Sequence, residues 1–187
     1  MLIARRMVLI SAVGALMLAL VAGTALGQST NGTSTSGEVF TGTSGSDTTS
    51  GGGGDDFLFD DQGGDDFLSD NQGGNDFLFD DEGNDRAMSG AGNDRVMSGS
   101  GNDRAEGGAG NDELFGDEGD DELFGDEGDD NLFGDEGADN IQGGADDDYL
   151  FAAGDNEADT VSGGAGNDTC VVDQQDSVSE CENVITR

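Results

Sequence analysis

The chain has 187 residues and carries 42 aspartates and glutamates against six basic residues, a formal net charge of −36, with no histidine, tryptophan or proline. A charge of that sign repels nucleic acid and anionic membrane surfaces, so its natural counterparts are cations or a basic partner. The lack of histidine removes the commonest general base, and with no sequence-supported nucleophile–base pair no catalytic residue is assigned.

In chain order, Arg5 and Arg6 precede an apolar run over residues 7–23, and Ala25-Leu26-Gly27 places small residues at −3 and −1 of a cut before Gln28. This pattern predicts a secretory signal peptide over residues 1–27 and an extracellular location for the rest. The competing expectation is a retained N-terminal anchor with the remainder facing outward, since residues 7–27 are long enough to cross a bilayer of about 30 Å. Without residues 1–27, all 42 acidic residues remain against four arginines, in a chain poor in apolar residues. That composition lies near that of disordered proteins. Residues 28–41, QSTNGTSTSGEVFT, read as a flexible Ser/Thr/Gly leader.

Residues 42–171 are periodic. Aspartate recurs at Asp47, Asp56, Asp66, Asp76, Asp85, Asp94, Asp103, Asp112, Asp121, Asp130, Asp139, Asp148, Asp159 and Asp168, with every step from Asp76 to Asp148 equal to nine. Glycine precedes the aspartate by two residues in most units, and an apolar residue follows it by two. Each unit therefore reads as a glycine-rich turn of six residues ending in Asp, then a strand of three whose middle residue points inward. One unit cannot bury a single leucine, whereas two units close one coil of about 18 residues and stacked coils bury a continuous core. The expected fold is all-β, a parallel β-solenoid with two short parallel sheets. Val96, Leu114, Leu132 and Leu150 should form one inward ladder, and Ala87, Ala105, Leu123 and Ile141 the other. Met97, Phe115, Phe133 and Phe151 should line one outer face, as cross-strand packing or as a docking or self-association surface. Arg86, Arg95 and Arg104 should face outward and relieve the acid crowding around them.

The tail, residues 172–187, breaks the period, and its Val178, Val184 and Ile185 are expected to cap the open end of the stack. Cys170 and Cys181 read as one disulfide in an exported chain.

The stacking raises an electrostatic problem. Aspartates two units apart come about 4.8 Å from one another on neighbouring strands, where two bare carboxylates repel by about 1 kcal/mol in water and roughly 3–4 kcal/mol at an effective dielectric near 20. Each inward leucine returns only about 1.5–3 kcal/mol, and chain entropy removes about 1–2 kcal/mol per residue fixed. A divalent cation held between turns by carboxylates and backbone carbonyls reverses the sign of the repulsion. The all-oxygen donor set suits calcium better than magnesium, and the absence of histidine disfavours zinc and copper. The candidate metal ligands are Asp56, Asp66, Asp76, Asp85, Asp94, Asp103, Asp112, Asp121, Asp130, Asp139, Asp148, Asp159 and Asp168. Cation binding would then be the folding step.

The units GGAGNDELF (107–115) and GGAGNDTCV (163–171) resemble the nonapeptide G-G-x-G-x-D-x-U-x of hemolysin-type (RTX) calcium-binding repeats. The resemblance implies a parallel β-roll, a right-handed β-solenoid, with several calcium ions in its turns, the Asp ending each turn supplying the side-chain ligand. Asp146 and Glu157 stand where other units have glycine, which puts the sites at Asp148 and Asp159 in question. The function expected is that of a secreted calcium-binding β-roll with a structural, surface or calcium-responsive role. The alternative is a disordered acidic polyanion that buffers calcium or contacts mineral.

Overall fold

The architecture was obtained as a computed structural model, which describes residues 29–32, 35–70 and 72–187. The expected signal segment lies outside them. The single apolar residue of each unit finds its partners on neighbouring coils. One sheet takes β1 (Ser29–Asn31), β3 (Thr48–Ser50), β5 (Phe67–Ser69), β7 (Arg86–Ala91), β9 (Arg104–Ala109), β11 (Glu122–Glu127), β13 (Asn140–Ala145), β15 (Thr160–Ala165) and β17 (Ser177–Ser179), in that order. The other takes the alternate strands β2 (Val39–Thr41), β4 (Phe57–Phe59), β6 (Phe77–Phe79), β8 (Arg95–Met97), β10 (Glu113–Glu118), β12 (Asn131–Glu136), β14 (Tyr149–Ala152), β16 (Thr169–Val172) and β18 (Asn183–Thr186). All pairings are parallel and no described residue is helical, so the molecule is a β-solenoid of about nine turns.

The register follows the sequence period. Leu114 pairs with Val96 and Leu132, and Leu123 with Ala105 and Ile141. Both expected inward ladders are buried, and the core continues through Phe40, Leu58, Leu68, Leu78, Val161 and Cys170. Thr49, a polar residue at an inward position, is buried and accepts a 3.3 Å hydrogen bond from the hydroxyl of Thr30 on the preceding coil.

On the outer face, Phe115 and Phe133 stack with centroids 4.8 Å apart, and Phe133 meets Phe151 at 6.2 Å. Phe59 and Phe79 repeat the stacking at 4.7 Å in earlier coils. The rings are half-buried against one another, and such pairs add about 0.5–1.5 kcal/mol each beyond area burial. The three repeat arginines point outward and bridge glutamates: Arg86–Glu106 at 3.0 Å, Arg95–Glu113 at 2.8 Å, and Arg104 to both Glu106 and Glu122. They also lie over Phe67, Phe115 and Phe124. These exposed pairs contribute little individually, about 0–1 kcal/mol.

Three features differ from the sequence expectation. Many strands run six residues instead of three, because the backbone keeps its inter-coil bonds through the start of the turn: Gly119 N–H donates to Glu136 O at 2.8 Å, and Glu118 N–H to Gly99 O at 2.9 Å. The kink this needs falls at Asp117, Asp126 and Asp135, whose φ angles of 71°, 78° and 69° lie in the left-handed region. Aspartate tolerates that region better than most residues, so Gly-Asp-Glu replaces Gly-Gly-x without losing the turn. The sheets also extend into the expected leader, where β1 pairs with β3 and β2 with β4. Finally, residues 172–187 form a last coil in register with the stack, β17 on β15 and β18 on β16. Val178 packs against the core, while Val184 and Ile185 stay half-exposed at 50% and 48%.

A Leu132→Ala substitution in mid-stack should cost about 2–5 kcal/mol, the cost of emptying a buried leucine site. Urea unfolding in calcium measures it, and a loss below about 0.5 kcal/mol would contradict the packing described.

Candidate metal centres in the turns

Each turn ends on an aspartate whose backbone N–H donates to the carboxylate of the aspartate one coil further on. On one edge Asp76 donates to Asp94 Oδ1, Asp94 to Asp112 and Asp112 to Asp130, each at 2.8 Å, and Asp130 to Asp148 and Asp148 to Asp168 at 2.9 Å. On the other edge Asp66 donates to Asp85, Asp85 to Asp103, Asp103 to Asp121, Asp121 to Asp139 and Asp139 to Asp159, at 2.7–2.9 Å. Asp56 N–H donates to Asp76 Oδ1 at 2.7 Å and Asp47 N–H to Asp66 Oδ1 at 2.6 Å. All thirteen candidate aspartates thus lie in two axial columns, each buried to at least 96%.

The columns run further than the period suggested. Glu38 N–H donates to Asp56 Oδ1 at 2.5 Å, Asp159 N–H to Asp176 Oδ1 at 3.1 Å, and Asp168 N–H to Glu182 Oε2 at 3.0 Å. These acids fall outside the nine-residue count. Their signal in the sequence is an acid two residues before an apolar one: Glu38–Phe40, Asp176–Val178, Glu182–Val184.

Only one oxygen of each carboxylate is used by the column. In twelve of the thirteen candidates, all but Asp159, the second oxygen, Oδ2, is buried and has no hydrogen-bond partner. An unpaired buried charge is costly, so such groups neutralise or coordinate a metal. The surroundings of Oδ2 complete an oxygen cradle. A Cβ placed on Gly107 would lie 2.5 Å from Asp112 Oδ2 and 3.0 Å from the carbonyl of Gly125, and Gly116, Gly125 and Gly143 repeat the arrangement with Asp121, Asp130 and Asp148. Glycine at this position therefore leaves room beside a carboxylate oxygen and a carbonyl oxygen of the next coil. Hard cations take such donors, so the residues present fit calcium. Asp146 holds a φ of 79° where other units have glycine, and Asp148 keeps both its column bond and its unpaired oxygen.

Burial, partly offset by the column hydrogen bond and reinforced by neighbouring carboxylates, pushes these groups far above the ordinary carboxylate range. Asp76, Asp103, Asp130, Asp139, Asp148 and Asp159 rise to about 7, and Asp85, Asp94, Asp112 and Asp121 to about 6. Burial followed by the nearby Asp70 carboxyl raises Asp56 to about 7, and burial also raises Asp66 and Asp168.

Three further aspartates join the columns without belonging to the period. Asp60, Asp70 and Asp80 follow the inward leucines Leu58, Leu68 and Leu78 by two residues, so alternation turns them inward too, and all three are buried. Each meets two turn-ending aspartates, giving the groups Asp47–Asp60–Asp66, Asp56–Asp70–Asp76 and Asp66–Asp80–Asp85, with one oxygen per residue all within 4.8 Å of one another. Burial and the carboxylates of Asp85 and Asp66 drive Asp80 to about 9. Beside this group an acidic cleft of about 630 Å³ is lined by Glu82, Asp117, Glu118, Asp135 and Glu136 among others.

A parallel solenoid with a buried, half-satisfied carboxylate closing nearly every turn defines an acid-lined β-roll with oxygen donors for hard cations. The chain belongs to the RTX calcium-binding nonapeptide repeat family, whose four-copy pattern matches residues 41–72, 70–105, 97–132, 124–156, 133–170 and 151–177. The repeats of this family bind calcium on a β-roll. A search of the curated proteins finds no match.

The raised carboxyls set the sign of the pH response without metal. Their folded pKa values of about 6 to 9 exceed the unfolded value of about 3.9, so the folded state holds more protons over that interval. Stability is then fully present below about pH 4 and falls as pH rises through 6 to 9. In chelator, the β-type circular dichroism signal should grow as pH is lowered from 9 to 4. A signal that is flat or moves the other way would refute the burial of these groups.

Proposed function

We propose that this chain is a secreted calcium-binding β-roll that orders when calcium enters its turns, acting as a structural, surface or calcium-responsive module and not as a catalyst. The observation that carries the reading is the row of buried Oδ2 atoms without partners. Calcium accepts six to eight oxygen ligands in flexible geometry, which the orphaned carboxylate oxygens and adjacent glycine carbonyls supply from two successive coils. The proposed ligands are the thirteen turn-ending aspartates from Asp56 to Asp168. At Asp159 the second oxygen is not orphaned, which makes it the weakest member. With the ion absent, entropy and like-charge repulsion oppose the fold. Binding therefore supplies folding free energy, in the roughly 10⁻⁴–10⁻³ M range of extracellular modules.

Secretion is supported by the signal-like segment before Gln28. A Cys170–Cys181 disulfide is supported by sulfurs at bonding distance, with Cα atoms 6.2 Å apart. The bond would join the ladder at Cys170 to the last coil. The aromatic face of Phe115, Phe133 and Phe151 serves mainly the sheet itself, since its rings are half-buried against one another and lie under Arg95 and Arg187.

Calcium titration followed by calorimetry and circular dichroism tests the proposal. The expected result is a random-coil spectrum in chelator at pH 7.5 and a β spectrum in millimolar calcium, with Asp112→Asn together with Asp130→Asn shifting the midpoint to higher calcium. A β spectrum unchanged by chelator would refute calcium-dependent folding. Cys181→Ser should lower stability by about 3 kcal/mol, the loop-closure value for a bridge of this span, and a loss no greater under oxidising than under reducing conditions would rule the bond out.

A further inference from the structure

We propose that the early coils carry a second class of cation site, three-carboxylate cages completed by Asp60, Asp70 and Asp80, that bind calcium more tightly than the two-coil turn sites. The inference rests on the proposed binding of calcium in the turns and adds a division among the sites. In later coils the same chain position is glycine, as at Gly107, Gly116, Gly125, Gly134 and Gly143, which leaves the cradle open. In the early coils a carboxylate stands there instead and reaches the neighbouring coil: a Cβ on Gly42 or Gly51 would collide with Asp60 or Asp70 Oδ2.

Proximity of acids alone would not make a site. The independent observation is the state of the oxygens. In the Asp66–Asp80–Asp85 cage all three Oδ2 atoms are buried and unpartnered, with residue exposures of 4%, 3% and 4%. The other carboxylate oxygens of that cage are occupied by the N–H groups of Asp47, Asp81 and Asp66. Among the described residues, Arg86, Arg95 and Arg104 bridge glutamates on the outer surface and Arg187 lies over Phe151, so none of these is paired with the cage oxygens. In Asp56–Asp70–Asp76 the Oδ2 atoms of Asp56 and Asp76 are free, while Asp70 accepts from Gly52 N–H at 3.1 Å and Gln72 N–H at 3.2 Å. In Asp47–Asp60–Asp66 the backbone N–H and hydroxyl of Thr43 already engage Asp47. The cages therefore rank with Asp80 first and Asp60 last.

Oxygens within 4.8 Å of one another suit an ion whose ligands stand about 2.3–2.6 Å from its centre, as calcium's do. Three carboxylates give such an ion one more negative charge than a turn site with two, with Asp66 shared between two of the cages, and charge count is one of the properties that tune calcium affinity over decades. These cages lie between residues 47 and 85, so the early coils should order at lower calcium than the rest.

Calorimetric titration of the metal-free full chain tests this, with circular dichroism at each point. The expected isotherm has a tight phase of up to three ions followed by a weaker phase. The variant Asp60→Asn/Asp70→Asn/Asp80→Asn should lose the tight phase, weakening first-ion binding by about tenfold or more, and keep the weaker phase with its gain of β signal. The charge-matched variant Asp61→Asn/Glu127→Gln/Asp129→Asn, altered at exposed acids, should keep both phases. A wild-type isotherm of one class, or a tight phase that survives in the triple variant, would overturn the cages and leave calcium binding in the turns standing. No binding by the wild type at millimolar calcium would overturn both. Should the triple variant fail to gain β signal, Asp80→Asn alone decides: loss of one tight ion supports the cages, and an unchanged tight phase refutes them.

Discussion

The structure depends on a carboxylate that faces two ways. One oxygen of each turn-ending aspartate ties its coil to the preceding one through a backbone N–H, and the other is left buried and unpaired beside a similar group on the next coil. The first interaction is a repeating clamp that sets the coil spacing and register. The second is a liability of several kcal/mol per ion in a desolvated site, repeated along both edges. A cation or a proton in the turns would relieve that liability.

The hydrophobic core is narrow. Each coil contributes two inward residues, and at Ala87 and Ala105 the contribution is a methyl group. Stacked phenylalanines and arginine–glutamate bridges on the outer faces add modest increments. The apolar ladders align the coils, and the buried carboxylates set an electrostatic cost against them.

Much of this was legible in the sequence. The nine-residue step placed Leu114 and Leu132 on one ladder, Leu123 and Ile141 on the other, and Phe115, Phe133 and Phe151 outside, because alternation in a strand and two units per coil leave no other arrangement. The same alternation, carried two residues past Leu58, Leu68 and Leu78, would have turned Asp60, Asp70 and Asp80 inward. A strand taken to end after three residues hid them. The length of the strands was hidden for a related reason: Asp117 and its equivalents accept a backbone angle expected of glycine, so the chain stays bonded to its neighbours where a free turn was anticipated. Glu38, Asp176 and Glu182 were missed because they complete the columns at irregular spacing, which only the three-dimensional register exposes.

The step from Asp148 to Asp159 is the longest between repeat aspartates, and near it Gly154 is the one characterised turn glycine whose added Cβ would meet nothing within 4 Å. In a stack where each layer rests on the layers above and below, the extra residues open one bend without parting the layers: β13 still pairs with β15, Asp139 N–H donates to Asp159 Oδ1 at 2.8 Å, and Gly154 N–H donates to Asp173 Oδ2 at 3.0 Å. The repeat length is therefore elastic at the corner and rigid in the sheets, and a turn can lengthen while the ladders on either side keep their register.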